Sequence, residues 1–211
     1  MITNSRRKKR IEEFVDKDHK VMSEYYDLLE SATSDAQLKR EMEKLIETDP
    51  DFYDPYLVVA DLQTEQGNDK KGDELIQEAY ERAVKRIADA RGDWPIFMPW
   101  GWLENRHLMR AIERQAVIFW EEGKTDEALD IFRRLLRANP GDNQGVRHSI
   151  LAIRLGLGTD WYAPFEVKDG PMAGEAIDAF ATEKWFEKNA KKFPEEFGWL
   201  PDALKELGYD D

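Results

Sequence analysis

Apolar residues along most of this chain recur three and four positions apart, the spacing that places them on one face of an α-helix. The best-defined segment starts at Ser34, which with Gln37 has the spacing of a capping box, and stops before Pro50, which disfavours helical geometry in the preceding residue. Signals for β-hairpins are nearly absent. The pattern predicts an all-α protein with helices over about residues 8–31, 34–49, 52–66, 70–90, 104–122, 126–138, 143–156, 174–192 and 201–208.

One stretch interrupts this periodicity, the sequence WPIFMPWGWL at residues 94–103. Its ten residues are far fewer than the ~20 that a membrane-spanning helix needs. The stretch could form the rim of a binding site or a plug that completes the core. Because large aromatic side chains are rarely left in water, we favour a plug that packs under the helix at residues 70–90 or against the aromatic C-terminal region.

The segment at residues 109–142 reads MRAIERQAVIFWEEGKTDEALDIFRRLLRANPGD. Each of its two helices has a small residue and an aromatic residue, Ala116 with Phe119 and Ala128 with Phe132. Gly123 stands at the turn between the helices, and Pro140 closes the unit. In this respect the segment resembles a tetratricopeptide repeat (TPR), a helix-turn-helix unit of about 34 residues. The resemblance implies an α-solenoid of antiparallel helix pairs, in which each pair buries its apolar face against its neighbours.

A weaker likeness to the repeat extends over residues 34–156. We therefore expect an N-terminal helix at 1–33, a TPR-like domain at 34–156 with an aromatic insertion at 92–103, and an acidic C-terminal extension at 157–211 that packs on the repeats. The closing prolines Pro50 and Pro140 are 90 residues apart, whereas two repeats would span about 68. The long helix and the insertion account for the surplus.

Composition and charge narrow the function classes. The net charge of −13 disfavours general binding to nucleic acid or to anionic membranes. The basic run at residues 6–10 could contact either, although such a run is more often a solvated helix start. The chain has no cysteine, and its three histidines lack the spacing of a metal motif. We expect no metal, no cofactor and no catalytic site, and a cytoplasmic protein because no signal-peptide pattern is present.

Arginines supply the candidate contact surface. Arg106, Arg110 and Arg114 are spaced by four and so lie on one face of the predicted helix. In TPR proteins the first helix of each repeat lines a concave face, and the resemblance places further residues there. The candidate peptide-binding residues are Arg106, Arg110, Arg114, Trp120, Gln144, Arg147, His148 and Arg154.

A guanidinium fork can hold a carboxylate or a phosphate through two hydrogen bonds. Some TPR proteins hold the C-terminus of a peptide in such a carboxylate clamp, so we expect a non-catalytic scaffold for a protein or peptide with acidic or C-terminal carboxylate groups. In a second interpretation the arginines form a solvated face paired with Glu113, Glu121 or the acidic tail. A third hypothesis is an enzyme or small-molecule-binding protein with a pocket at the insertion.

Overall fold

The computed structural model describes residues 12–174 and 176–209, and within these ranges it is all-helical. This confirms the all-α prediction. An isolated β-bridge between Glu166 and Ile177 joins two stretches of extended backbone. The α-helices are α1 Met22–Ser31, α2 Asp35–Thr48, α3 Asp54–Glu65, α4 Asp69–Ile87, α5 Leu103–Glu121, α6 Thr125–Ala138, α7 Val146–Arg154, α8 Ala179–Ala190, α9 Pro194–Phe197 and α10 Leu200–Leu207.

Helices adjacent in the sequence are also adjacent in space. From α1 to α8 each helix contacts the next one, and α3 also contacts α5. The main core runs from Tyr53 through Ile112 and Phe132 to the C-terminal helices, and a smaller cluster around Met42 and Phe52 joins α1, α2 and α3. Each helix therefore buries its apolar face mainly against its sequence neighbours.

The pair α5 and α6 shows why this sequence forms a helix hairpin. Ala116 and Ala128 are fully buried and allow close approach of the backbones, while Phe132 meets Trp120 edge-on with ring centroids 6.4 Å apart. Gly123 ends the first helix with a φ of 76°. Residues with a Cβ atom rarely adopt this left-handed conformation, so a glycine is favoured at this turn.

The start of α2 partly follows the predicted capping box. The Ser34 hydroxyl accepts a hydrogen bond from the Gln37 backbone N–H at 3.3 Å. The Gln37 side chain, however, accepts from the backbone N–H of Thr33 and not from that of Ser34. The reciprocal bond is thus displaced by one residue towards the N-terminus.

The N-terminal helix is shorter than the predicted 8–31. Residues 8–11 lie outside the described part of the chain, and residues 12–19 are not helical. Their backbone groups bond to other parts of the fold: the Phe14 N–H donates to the Phe97 carbonyl at 2.8 Å, and the Asp16 N–H donates to Asn105 Oδ1 at 3.0 Å. These tertiary bonds replace the bonds that a helix would have made.

The aromatic insertion contributes to the core. Met98 is fully buried, and its N–H donates to the carbonyl of Ala138 at the end of α6. Trp94 lies under the guanidinium of Arg134, also on α6, at 5.6 Å. Ile96, in contrast, is 82% exposed. The insertion is therefore a plug on one side and a free surface on the other.

The C-terminal extension packs on the end of the helix array. Helix α8 contacts α7, and Phe186 of α8 meets Phe197 of α9 edge-on at 5.0 Å. The Glu196 carboxylate accepts two hydrogen bonds from Arg133 on α6. Among the helices of the described ranges, none combines the length and the apolar character needed to cross a membrane.

Candidate functional site

Helices α3 and α5 are joined by a row of charged pairs. Arg110 donates from Nε to Asp54 Oδ1 at 2.8 Å and from Nη2 to Asp54 Oδ2. One turn along α5, Arg114 donates to Asp61. Because Asp54 and Asp61 are seven residues apart, they share a face of α3. Two of the predicted arginines thus connect neighbouring helices.

Trp100 of the insertion lies beside this row. The guanidinium carbons of Arg106 and Arg110 are 5.3 Å and 5.7 Å from the centroid of its ring, within the range of cation–π attraction. Arg106 Nε also donates to the Trp100 carbonyl at 3.0 Å. Among the described residues, no carboxylate oxygen lies within 4.0 Å of the Arg106 guanidinium. In this row, the two terminal nitrogens of Arg106 are therefore the cationic groups that no described carboxylate engages.

Glu113 lies on the same side of α5, between Arg110 and Arg114 in the sequence. Its Oε2 accepts a hydrogen bond from Gln144 Nε2, which also donates to the Met109 carbonyl at 3.1 Å. Glu113 forms no salt bridge with a described residue, because the two arginines are engaged by α3. Burial raises the pKa of Glu113 to about 7, and the Gln144 bond offsets this only in part.

The arginines of α7 contact the C-terminal extension. Arg147 bonds to Asp142 at 3.2 Å and to Glu183 of α8 at 2.6 Å. Arg154 donates to Glu195 of α9 at 2.8 Å. The interpretation in which the arginines pair with the acidic tail therefore describes α7, whereas Arg110 and Arg114 of α5 pair with α3.

Two predicted contact residues lie within packed regions. Trp120 is buried against Phe132, so its indole contributes to the core between α5 and α6. His148 stacks on Trp161 at 5.9 Å, and its Nδ1 lies 3.2 Å from the Gly145 carbonyl. Burial lowers the pKa of His148. Of the predicted set, Arg106, Arg110, Arg114 and Gln144 are the residues that surround one surface.

A buried cluster that the sequence did not reveal brings two histidines together. Asp16, His19 and His107 have fully buried side chains, and Asp16 Oδ2 is 3.2 Å from Nε2 of each histidine. His19 Nδ1 is 2.8 Å from Asp49 Oδ2, and Arg86 donates to Asp16 Oδ1 at 2.7 Å. Asp16 precedes the first helix and His107 lies on α5, so the cluster exists only in the folded chain.

The charges of this cluster follow from its contacts. Burial lowers the pKa of His19, but the flanking carboxylates of Asp16 and Asp49 outweigh burial and the net shift is upward. Burial opposes ionisation of Asp16 too, yet the two histidine rings 3.2 Å away and the hydrogen bond from Arg86 hold its pKa well below the usual range. Burial lowers the pKa of His107, which remains neutral. The cluster is a hydrogen-bonded network with balanced charges.

The three side chains could place ligand atoms around one metal ion, since these atoms lie within 4.8 Å of one another. A metal-binding histidine normally donates its other ring N–H to an acceptor. His19 meets this requirement through Asp49. His107 does not, because its Nδ1 accepts the Tyr53 backbone N–H at 3.2 Å and the proton must then sit on Nε2, which faces Asp16. The contacts therefore favour a neutral His107 with its proton on Nε2 over a His107 whose Nε2 binds a metal ion.

A shallow groove of about 560 Å³ lies elsewhere, between α2, α3 and α4. Its floor is aliphatic, and its lining includes four glutamates and one lysine: Glu43, Glu47, Glu74, Glu78 and Lys71. An anionic ligand would be repelled there. This groove is therefore a separate surface, which favours cationic groups, whereas the α5 arginines favour anionic ones.

Comparison of the chain with protein-family models, curated proteins and solved structures finds no match.

Proposed function

We propose that this protein is a non-catalytic, TPR-like scaffold that binds a protein or peptide segment with acidic or C-terminal carboxylate groups. The observation that carries the proposal is Arg106, which is stacked on Trp100 beside Arg110 and has no carboxylate partner among the described residues. A cation held in place by a ring and a backbone carbonyl, with its terminal nitrogens free, is suited to a ligand anion.

The neighbouring pair would complete the binding surface. The side chains of Arg114 and Asp61 are 47% and 52% exposed. Exposed ion pairs contribute only about 0–1 kcal/mol, so a ligand carboxylate can compete with Asp61 for Arg114. Arg110 differs because its partner Asp54 is almost completely buried. Arg106 and Arg114 would therefore bind ligand, and Arg110 would hold the surface together.

The helix order supports a TPR-like arrangement as part of this proposal. Successive helices pack in sequence, and the α5–α6 hairpin has buried alanines and a left-handed glycine turn where the repeat resemblance expects small residues and a turn. In such an array α3, α5 and α7 would be the first helices of successive repeats. The arginine row and its α3 partners would then line the concave face.

A binding role also agrees with the chemistry of the buried groups. The histidines in contact with Asp16 are fully buried, so a substrate could not reach them without opening the fold. The arginine row supplies hydrogen-bond donors and positive charge, which position an anion but do not by themselves perform acid–base or nucleophilic chemistry.

The test is fluorescence polarisation with a fluorescein-labelled acidic heptapeptide in two forms, one with a free C-terminal carboxylate and one amidated. We expect the free acid to bind and the amide to bind about tenfold more weakly, because a hydrogen bond to a charged group contributes about 1.5–3 kcal/mol. Arg106→Glu combined with Arg114→Glu should abolish binding of the free acid.

The control is Arg82→Glu, a single charge reversal of the same kind on an exposed face of α4, where Arg82 pairs with Glu78. It should leave peptide binding within about twofold, since it alters only the distant field. Equal binding by the wild type and the double variant, or no binding by the wild type, would refute the proposed surface.

A further inference from the structure

We propose that Glu113 regulates this same surface: its carboxylate opposes the ligand anion, and its protonation opens the arginine row to that anion. The inference rests on the proposed function and goes beyond it by naming the group that controls occupancy. Glu113 is three residues from Arg110 and seven from Arg106, so its side chain lies on the ligand-facing side of α5.

The groups around Glu113 come from each neighbouring element. On α5 they are Arg110 and Arg114, and α3 supplies the aspartates that bind those arginines. The segment before α7 supplies Gln144, the hydrogen-bond donor, and Asp142, a second negative charge. Burial raises the pKa of Asp142 to about 6, so this carboxylate is ionised above pH 7. The charged groups of the whole surface are Arg106, Arg110, Arg114, Asp54, Asp61, Glu113, Asp142, Arg147 and Glu183.

The neighbouring charges show how Glu113 acts on a ligand. Asp54 and Asp61 balance Arg110 and Arg114, and Arg147 is bound by both Asp142 and Glu183. Ionised Glu113 adds a further negative charge beside the row, and protonation of Glu113 removes that charge. A ligand carboxylate is therefore attracted more strongly when Glu113 is protonated.

The protonation equilibrium falls in a useful pH range. Burial raises the pKa of Glu113 to about 7, so the group changes charge near neutrality. If the ligand binds only the protonated form, its apparent dissociation constant is inversely proportional to the fraction of Glu113 that is protonated. Between pH 6 and pH 8 the expected loss of affinity is about tenfold. Conversely, bound ligand should raise the pKa of Glu113 further, by reciprocal linkage.

The experiment is the same titration with the free-acid heptapeptide at pH 6, 7 and 8 and constant ionic strength. The wild type should lose about tenfold in affinity over this range. Glu113→Gln, which keeps an oxygen for Gln144 and is permanently neutral, should bind with equal affinity at pH 7 and pH 8, where Asp142 is already ionised. Glu121→Gln, at the end of α5 and exposed, is the matched control and should keep the wild-type pH dependence.

The possible results separate the two proposals. Wild-type binding that does not change with pH, or a pH dependence between pH 7 and pH 8 that survives in Glu113→Gln, overturns the role of Glu113 and leaves the binding surface in place. No wild-type binding at any pH overturns both. A second readout does not depend on the variant: the carboxyl carbon of Glu113, followed by NMR, should titrate near neutrality in the wild type and at higher pH with peptide bound. Titration near the ordinary value of 4.5 would overturn the inference.

Discussion

Arg110 and Asp54 form a two-point ion pair between α5 and α3, in which the carboxylate is only 2% exposed and the guanidinium 32%. The aspartate stands at the first position of α3, so the pair fixes the start of one helix against the middle of another. Trp100 covers part of the same guanidinium. This geometry predicts that the pair matters more for folding than the exposed pair one turn further along α5.

We expect Arg110→Leu to lower the free energy of unfolding by about 3–5 kcal/mol, because it leaves a buried carboxylate without its partner. The double variant Arg110→Leu, Asp54→Leu should recover most of this loss. Arg114→Leu is the control and should cost about 1 kcal/mol or less, since its pair with Asp61 is exposed. Urea denaturation measures all three. Similar losses for Arg110→Leu and Arg114→Leu would contradict the assignment.

His19 predicts a pH-dependent stability. The carboxylates of Asp16 and Asp49 raise its pKa above 6.5 despite burial, so protonated His19 stabilises the folded state. This contribution is complete below pH 6.5 and is lost as the pH rises through the folded-state pKa. His19→Gln should therefore cost about 1–3 kcal/mol at pH 6 and progressively less at higher pH, measured by urea denaturation across that range.

His148 provides a control of opposite sign for this experiment. Burial lowers its pKa, so the stability it contributes is present above pH 6.5 and is lost as the pH falls through the lower folded-state value. The cost of His148→Gln should accordingly grow with rising pH. If the two variants showed the same pH trend, the charge states derived for the two histidines would be incorrect.

Metal addition tests the proton assignment in the buried cluster. Since His107 Nδ1 accepts the Tyr53 N–H, equimolar Zn²⁺ added to chelator-treated protein should change the melting temperature by less than about 1 °C. Mg²⁺ at the same concentration is the control for general ionic effects. An increase of several degrees with Zn²⁺ that is absent in His107→Gln would show that the cluster binds metal after all.

The features that the sequence could predict depend on local information. The helices follow from apolar spacing, and the hairpin of α5 and α6 follows from small residues and a turn glycine within 34 residues. The N-terminal segment marks the limit of this information. Phe14 and Val15 fit a helical pattern, but Phe14 bonds instead to Phe97, far along the chain. No local pattern indicates that this tertiary hydrogen bond will form in place of a helical one.

The candidate surface also has one part that local sequence predicts and another part that it does not. Periodicity placed Arg106, Arg110 and Arg114 on one face, and the structure has all three there. Their partners could not be predicted, because Asp54 is 56 residues from Arg110 in the sequence and is one of 44 acidic residues. The buried contact of Asp16 with His107 could not be predicted for the same reason: these residues meet only when α5 packs beside the N-terminal segment.

The aromatic insertion provides the last prediction, because adjacent parts of it have opposite environments. Met98 is fully buried against the end of α6, so Met98→Ala leaves a cavity and should cost about 2–5 kcal/mol in the free energy of unfolding. Ile96 is 82% exposed, and Ile96→Ser should change stability by no more than about 0.5 kcal/mol. Chemical denaturation of both variants separates a plug from a free binding rim. If both were neutral, the contact of Met98 with the end of α6 would not anchor the insertion, and the position of Trp100 beside Arg106 would lose this support.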